Sequence, residues 1–454
     1  MITFLTFYLG LVVGLRDFEL AVAENTARVE ILLDGEIRTE ITVPPWKFQV
    51  DLGEVPLPHE LTAVAYDIDG KPLGQAFQRL NVPHPPVEVA IALESEDGLV
   101  RTARLAWEAA ADEALSGVRV RLDGRKIPVD DPQNIPLPPL DMSRHHHLSA
   151  EVTFRGRLRT QTAVVFGGSF VDQIDTELTA VVVEKLGDGE DDRVPPSGEI
   201  AGWFHRRGAA LSVFAVERPP AEVMLVRDQT SARRLLRFAG SLGATGPGQQ
   251  SLSGNLERLL ERRVRILGIG LAEDDWLRVM ATQPERRQET GKAFFRASGD
   301  VSEIARGLGM GVAGLRVPGN GRPERLADAV AASGLEIAGG GRRRIVLLVV
   351  DPRTTDASSL TPREAELYLH AMRVPLAVWT AGDAKAVSRV WGAGRNVGRP
   401  GRLADAVEEL MSRLDRQLVI WLEGRLLPTE IELTAEGQRH VAFPHVPLVS
   451  GQGP

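Results

Sequence analysis

A repeat in the first third of the chain constrains the fold more than any other feature. Val29, Ile31 and Leu33 alternate with their neighbours and run into Asp34-Gly35, the pattern of a half-buried strand entering a two-residue hairpin turn. Val118, Val120 and Leu122 repeat the alternation and run into Asp123-Gly124, roughly 89 residues on, a spacing suited to duplicated modules. A second phrase keeps nearly the same offset: His59-Glu60-Leu61-Thr62-Ala63-Val64 matches His146-His147-Leu148-Ser149-Ala150-Glu151-Val152. Both copies show short strands broken by Asp-Gly, Pro-Pro and Gly turns and no long helical period, so each reads as a β-sandwich.

These units, residues 1–84 and 85–168, resemble bacterial immunoglobulin-like domains in the phrases VEILLDGE and LTAVAYDIDGKPLG, without the Cys and Trp of antibody domains. Their joint, Asn81-Val82-Pro83-His84-Pro85-Pro86, is expected to be stiff, because proline fixes φ. The apolar start MITFLTFYLGLVVGL lacks a basic leader and a small-residue cleavage site, and Arg16-Asp17 end it too early for a membrane span. It reads as a first strand, with no clear signal peptide. His145-His146-His147 reads as a solvated turn before a strand, since adjacent strand residues point to opposite faces and do not converge on one ion.

The chain has 454 residues, which suggests about three domains. It has no cysteine, which excludes disulfides and thiolate sites. A net charge of -8 gives no broad basic field for nucleic acid.

Residues 169–218 read as a β connector, with strands at Leu178–Val183 and Ala210–Val216 around an acidic loop, Gly187–Gly198. After Pro219-Pro220, apolar strands alternate with helical stretches, the signal of an α/β doubly wound domain over 219–425. Strands are expected at Val223–Val226, Val264–Ile269, Ile345–Val350, Leu376–Trp379 and Leu418–Leu422. Helices are expected at about 231–238, 254–262, 301–307, 323–333, 362–373 and 403–414. Thr361-Pro362-Arg363-Glu364 carries a capping box. Residues 426–454 read as an extended tail able to add a strand to an edge, such as that of the connector.

Ligands of such sheets bind at the carboxyl ends of the strands. Here those ends are Asp228-Gln229-Thr230-Ser231-Ala232 and Asp351-Pro352-Arg353-Thr354-Thr355-Asp356. Over residues 177–425 the chain resembles a von Willebrand factor A (VWA) domain, in particular the VWFA-related proteins of acidobacteria. The likeness rests on the ordered series FHRRGAALSVFAVERPPAEVMLVRDQTSARRLL, Leu326-Ala327-Asp328-Ala329 and IVLLVVDPRTTDASSLTPREAELYLHAMRVPLAVW.

The resemblance implies a hard-cation site, Mg²⁺ or Ca²⁺, built from three loops. Asp228, Thr230, Glu324 and Asp351 occupy its positions, but Ala232, Glu324 and Pro352 depart from the family pattern, so the site is expected to be degenerate. No cofactor is certain. Arg227, Gln229, Arg353 and Thr354 are the expected partner-binding face. The family also implies extracytoplasmic work.

These features point to a non-enzymatic module that binds a protein partner. A structural scaffold of the cell envelope and a hydrolase using Asp228, Asp351 and Asp356 are the alternatives. Gly309-Met310-Gly311-Val312-Ala313-Gly314 satisfies a dinucleotide pattern but follows a helical stretch instead of a strand.

Overall fold

The computed structural model describes residues 2–8, 10–83, 87–96, 99–109, 115–122, 125–141, 146–154, 159–166, 178–186, 193–231, 235, 271–272, 275–286, 293–298, 301, 312, 323–339, 341–424 and 426–444. The chain divides into two compact units, Met1–Asp175 and Thr176–Pro454.

The first unit begins with β1 (Ile2–Phe4), β2 (Leu15–Val22), β3 (Arg28–Leu33), β4 (Glu36–Ile41), β5 (Lys47–Asp51), β6 (His59–Tyr66) and β7 (Pro72–Leu80). They form two antiparallel sheets, β1-β2-β5 and β4-β3-β6-β7. β8 (Val87–Glu96), β9 (Leu99–Ala109), β10 (Leu115–Leu122), β11 (Arg125–Ile127), β12 (Ile135–Pro136), β13 (His146–Phe154) and β14 (Arg159–Phe166) follow. Their sheets are β8-β9-β12 and β11-β10-β13-β14. Every strand of the first module therefore has its counterpart seven strands later in the same place.

Each module is a β-sandwich, because residues from both of its sheets share one core. Phe18, Leu20 and Phe48 meet Ile31, Leu61 and Leu80 in the first, and Ile91 and Leu105 meet Val120 and Leu148 in the second. The repeated phrase supplies matching core positions, Leu61-Ala63-Ala65 and Leu148-Ala150-Val152, all buried. The Asp34-Gly35 turn has positive φ at both residues, 55° and 85°, as a type I′ hairpin requires. His146 and His147 lie inside β13 and not in a turn. His146 is buried against Phe166, and its Nε2 lies 3.0 Å from the Asp141 carbonyl.

In the second unit, β15 (Leu178–Lys185), β16 (Phe204–Arg206), β17 (Ala209–Ala210) and β18 (Val213–Glu217) precede a parallel sheet. That sheet holds β19 (Ala221–Arg227), β20 (Trp276–Met280), β23 (Arg343–Val349), β24 (Leu376–Thr380) and β25 (Arg395–Asn396), in the order β20-β19-β23-β24-β25. A small hairpin of β21 (Glu285–Arg286) and β22 (Ala293–Phe294) follows β20. The helices of eight or more residues among the described ones are α1 (Leu326–Ala338), α2 (Pro362–Ala371), α3 (Ala384–Trp391) and α4 (Pro400–Asp415). From α4, Leu403, Val407 and Leu410 pack with Val223, Leu225, Ile345 and Leu347. α1 touches the same strands outside that cluster, hence from the other face.

One strand departs from the expected α/β layout. β26 (Gln417–Glu423) does not join the parallel sheet but pairs antiparallel with β15 and β18. β27 (Glu432–Leu433) pairs with β16, and β28 (Val441–Ala442) pairs with β15. Val181, Phe204, Ile420, Ile431 and Leu433 share one core. The segments read as connector and tail are thus two halves of one small β body, and the parallel sheet is inserted between them.

The apolar run at Leu418 was legible as a strand, but its partners were not, because a strand buried on both faces looks alike in either sheet type. The expected strand at Val264–Ile269 and helices at 254–262 and 301–307 lie outside the described residues, apart from Val301. Among the described residues no helix is long and apolar enough to cross a membrane.

Candidate functional site

β19 and β23 lie side by side at the centre of the parallel sheet, in register from Ala221↔Arg343 to Arg227↔Val349. From β19 the chain adds β20 on one side and later β23 on the other. Their carboxyl ends therefore flank a topological switch point, the usual place for a ligand in an open parallel sheet.

Asp228 follows β19 and is fully buried. Its Oδ1 accepts from the Ser231 N–H at 2.7 Å, and its Oδ2 accepts from the Ser231 hydroxyl at 2.8 Å and the Asp351 N–H at 2.6 Å. One carboxylate thus ties its own turn to the end of β23. Burial pushes the Asp228 carboxyl above its usual range, against the pull of the Ser231 and Asp351 donors.

Glu324, half-buried just before α1, reaches the same place. Its Oε1 accepts from the Gln229 N–H at 2.9 Å and the Thr282 hydroxyl at 3.1 Å. Burial raises this carboxyl too, and the charges of Asp228 and Asp356 add to the effect. Asp351 turns its Oδ1 to the Arg353 N–H at 3.0 Å. Thr230 is exposed. Ala232 lies outside the described residues.

Two further acids complete the arrangement. Asp356 accepts from the Leu326 and Ala327 N–H groups at 2.8 and 3.1 Å, so a remote loop caps the amino end of α1. Asp328 of α1 reciprocates, accepting from Ser359 N–H at 3.0 Å and Leu360 N–H at 2.9 Å. Arg325 adds bonds to Asp328 and to the Ser359 hydroxyl. The loop from Asp351 to Thr361 is clamped at both ends, and Pro352, Arg353 and Thr355 remain exposed on it.

Asp228, Glu324 and Asp351 thus lie at one strand end, linked through main-chain N–H groups: Asp228 accepts from the Asp351 N–H and Glu324 from the Gln229 N–H. Arg227 does not belong to an exposed face: it is fully buried and its Nη1 donates to the Val312 carbonyl. Every residue of β19 is buried, as befits a central strand covered on both faces. Burial lowers the Arg227 pKa to about 10. Of the other expected face residues, Arg353 is exposed, and Gln229 and Thr354 are half-buried. Sequence reasoning missed Thr282 and the capping roles of Asp328 and Asp356. Asp356 lies thirty residues from the helix it caps, so no local pattern reveals the bond.

A hard cation needs several oxygens with free lone pairs. The Asp228 oxygens already accept from three donors, and among the described residues no three His, Asp or Glu side chains form a group suited to a metal ion. The residues present do not fit a conventional site of this kind.

No protein family matches the chain, and no curated protein does. Among solved structures, the fibronectin(III)-like modules of CbhA from Clostridium thermocellum are 23% identical over 17% of this chain and 92% of that one, with a TM-score of 0.15. The central fibronectin-III array of RIM-binding protein is 9% identical over 44% of this chain and 76% of that one, with a TM-score of 0.16. A Ca²⁺-stabilized adhesin with which an Antarctic bacterium binds ice is 14% identical over 44% of this chain and 55% of that one, at 0.14. At these TM-scores none of the three bears on what this chain does.

Proposed function

We propose that the chain is a non-enzymatic binding protein whose α/β domain is a VWA-like, doubly wound fold that meets a protein partner through the carboxyl-end face of its sheet, without a metal ion. One observation carries the reading: the acids at that face bond the chain's own N–H groups and hold the Asp351–Thr361 loop in a fixed shape. A loop held in its bound shape loses little entropy on association, which favours recognition. A hydrolase would need one of these carboxylates to face substrate, and the burial of Asp228 argues against that role. Extracytoplasmic work belongs to the same VWA-like reading.

A photo-crosslinking residue placed at Arg353 or Thr355 in cells that make the protein tests the proposal. A discrete adduct from these positions, weakened by Asp356→Ala and absent from a probe at Asp415, exposed at the amino end of the sheet, is the expected result. Adducts of equal yield from all three positions would overturn it.

A further inference from the structure

Arg227, the last residue of β19, is fully buried, and Nη1 is the one guanidinium nitrogen with an acceptor. It donates to the Val312 carbonyl, whereas Nε and Nη2 are enclosed with no acceptor. Among the described residues no acid forms a salt bridge with Arg227. The neighbouring Asp228 does not serve it, since the Asp228 oxygens accept from Ser231 and from the Asp351 N–H. Burial leaves the guanidinium with a pKa of about 10, so it is charged at neutral pH.

Two other buried arginines of the same sheet are better served. Arg343 donates from Nε to the Pro219 carbonyl at 2.6 Å and from Nη1 to the Leu414 carbonyl at 3.1 Å, and it lies between Asp415 and Asp275. Arg344 donates to the Ile337 and Ala338 carbonyls and leaves a single buried nitrogen, Nε, without an acceptor. Nor does packing call for a cation at Arg227. Val349 and then Trp379, next to it across the sheet, are apolar and belong with Val312 to the core that α4 covers.

The two unmet nitrogens share one edge. In a guanidinium the Nε–H and one Nη2–H point side by side, away from Nη1, and such a pair matches two oxygens of a carboxylate or a phosphate. A water molecule accepts a bond of this kind but leaves the buried charge uncompensated. We propose that Arg227 anchors an oxyanion site, holding a carboxylate or phosphate group side-on at the carboxyl end of β19. The end of β19 flanks the switch point between β20 and β23, where open parallel sheets take their ligands. The anion lies on the face that carries Val312, while Asp228 keeps its own oxygens on hydrogen-bond donors of its turn and of the end of β23.

Isothermal titration of the full chain in Tris buffer, with inorganic phosphate in one arm and acetate in the other, tests the site. Saturable binding in either arm is expected, and the arm that binds more tightly tells a phosphate ligand from a carboxylate. Arg227→Lys keeps the charge but loses the paired donors, so it should weaken binding by about tenfold or more. Arg227→Met should abolish it.

Methionine fills the buried place without a charge, so this variant should fold and, in the absence of the anion, unfold in urea no earlier than the unsubstituted chain. Saturating phosphate or acetate should raise the urea midpoint of the unsubstituted chain beyond that in chloride of equal ionic strength, and should give no such rise in Arg227→Met. No saturable binding in either arm, or binding by Arg227→Met as tight as that of the unsubstituted chain, would overturn the proposal.

Discussion

At the amino end of the parallel sheet most acids pair with arginines, Asp275 alone among those named accepting from main-chain N–H groups, of Ala221 and Ala272, whereas at its carboxyl end the acids chiefly meet backbone N–H groups. Glu222 bonds Arg278 at 3.0 Å, and Arg278 reaches Glu336 at 2.7 Å. Arg343 lies between Asp415 at 3.1 Å and Asp275 at 3.7 Å. Arg344, whose pKa burial lowers to about 10, donates to the carbonyls of Ile337 and Ala338 at the end of α1. At the other end Asp228, Glu324, Asp328 and Asp356 all accept from main-chain donors. A charge pair fixes two side chains, while a carboxylate on N–H groups fixes the path of a loop. The amino end is therefore held chiefly by charge pairs, and the carboxyl end chiefly by carboxylates that fix the path of its loops.

Amide substitutions separate the two ends. Asp228→Asn replaces an accepting oxygen by a donor where donors already point, and should cost about 3 kcal/mol in urea unfolding of the second unit, since buried donors are left unmet. Asp356→Ala should cost about 1–2 kcal/mol, the worth of a helix cap, and should raise hydrogen exchange at Leu326 and Ala327. Glu222→Gln keeps an acceptor for Arg278, and its cost should be smaller, about 1 kcal/mol. If it proved as damaging as Asp228→Asn, the distinction between the ends would fail.

The smallest effect is on pH. The Asp228 and Glu324 pKa values are raised in the folded chain, so the stability they contribute is present below the unfolded carboxyl pKa and is lost as pH rises through the folded values. Asp34 behaves in the opposite sense. Despite burial, the His59 ring and the Glu60 N–H hold its pKa down, so its contribution is lost as pH falls through the folded value. Urea unfolding should show the contribution of Asp228 to the second unit falling as pH rises above the unfolded carboxyl range, and the Glu60 amide should be less protected from hydrogen exchange under strong acidification. Asp228→Asn should flatten the first response.

Local rules made several features legible. The Asp-Gly turn with alternating Val29, Ile31 and Leu33 gave the hairpin and the core face. The capping box at Thr361 is present, with the Glu364 N–H 3.2 Å from the Thr361 hydroxyl and the Thr361 N–H 2.6 Å from Glu364. Five of the six apolar residues Ile345–Val350 occupy a central strand, as their lack of alternation required. Features set by distant partners were not legible. β26 is as apolar as β23 yet pairs in another sheet, β20 is short and partly polar, and Asp356 caps a helix from across a loop. Arg227 read as a surface cation, although the unalternating run Val223–Val226 before it marks a covered strand, because a guanidinium is seldom fully buried.

The central claim is that the strand-end acids serve the chain's own backbone and not a cation. Calorimetric titration of the full chain with Mg²⁺ and Ca²⁺, beside an Asp228→Ala variant, tests it most directly. The account predicts no saturable heat from either protein, with the variant less stable whether or not the ions are present. Saturable binding by the unsubstituted chain that is lost in Asp228→Ala would contradict it.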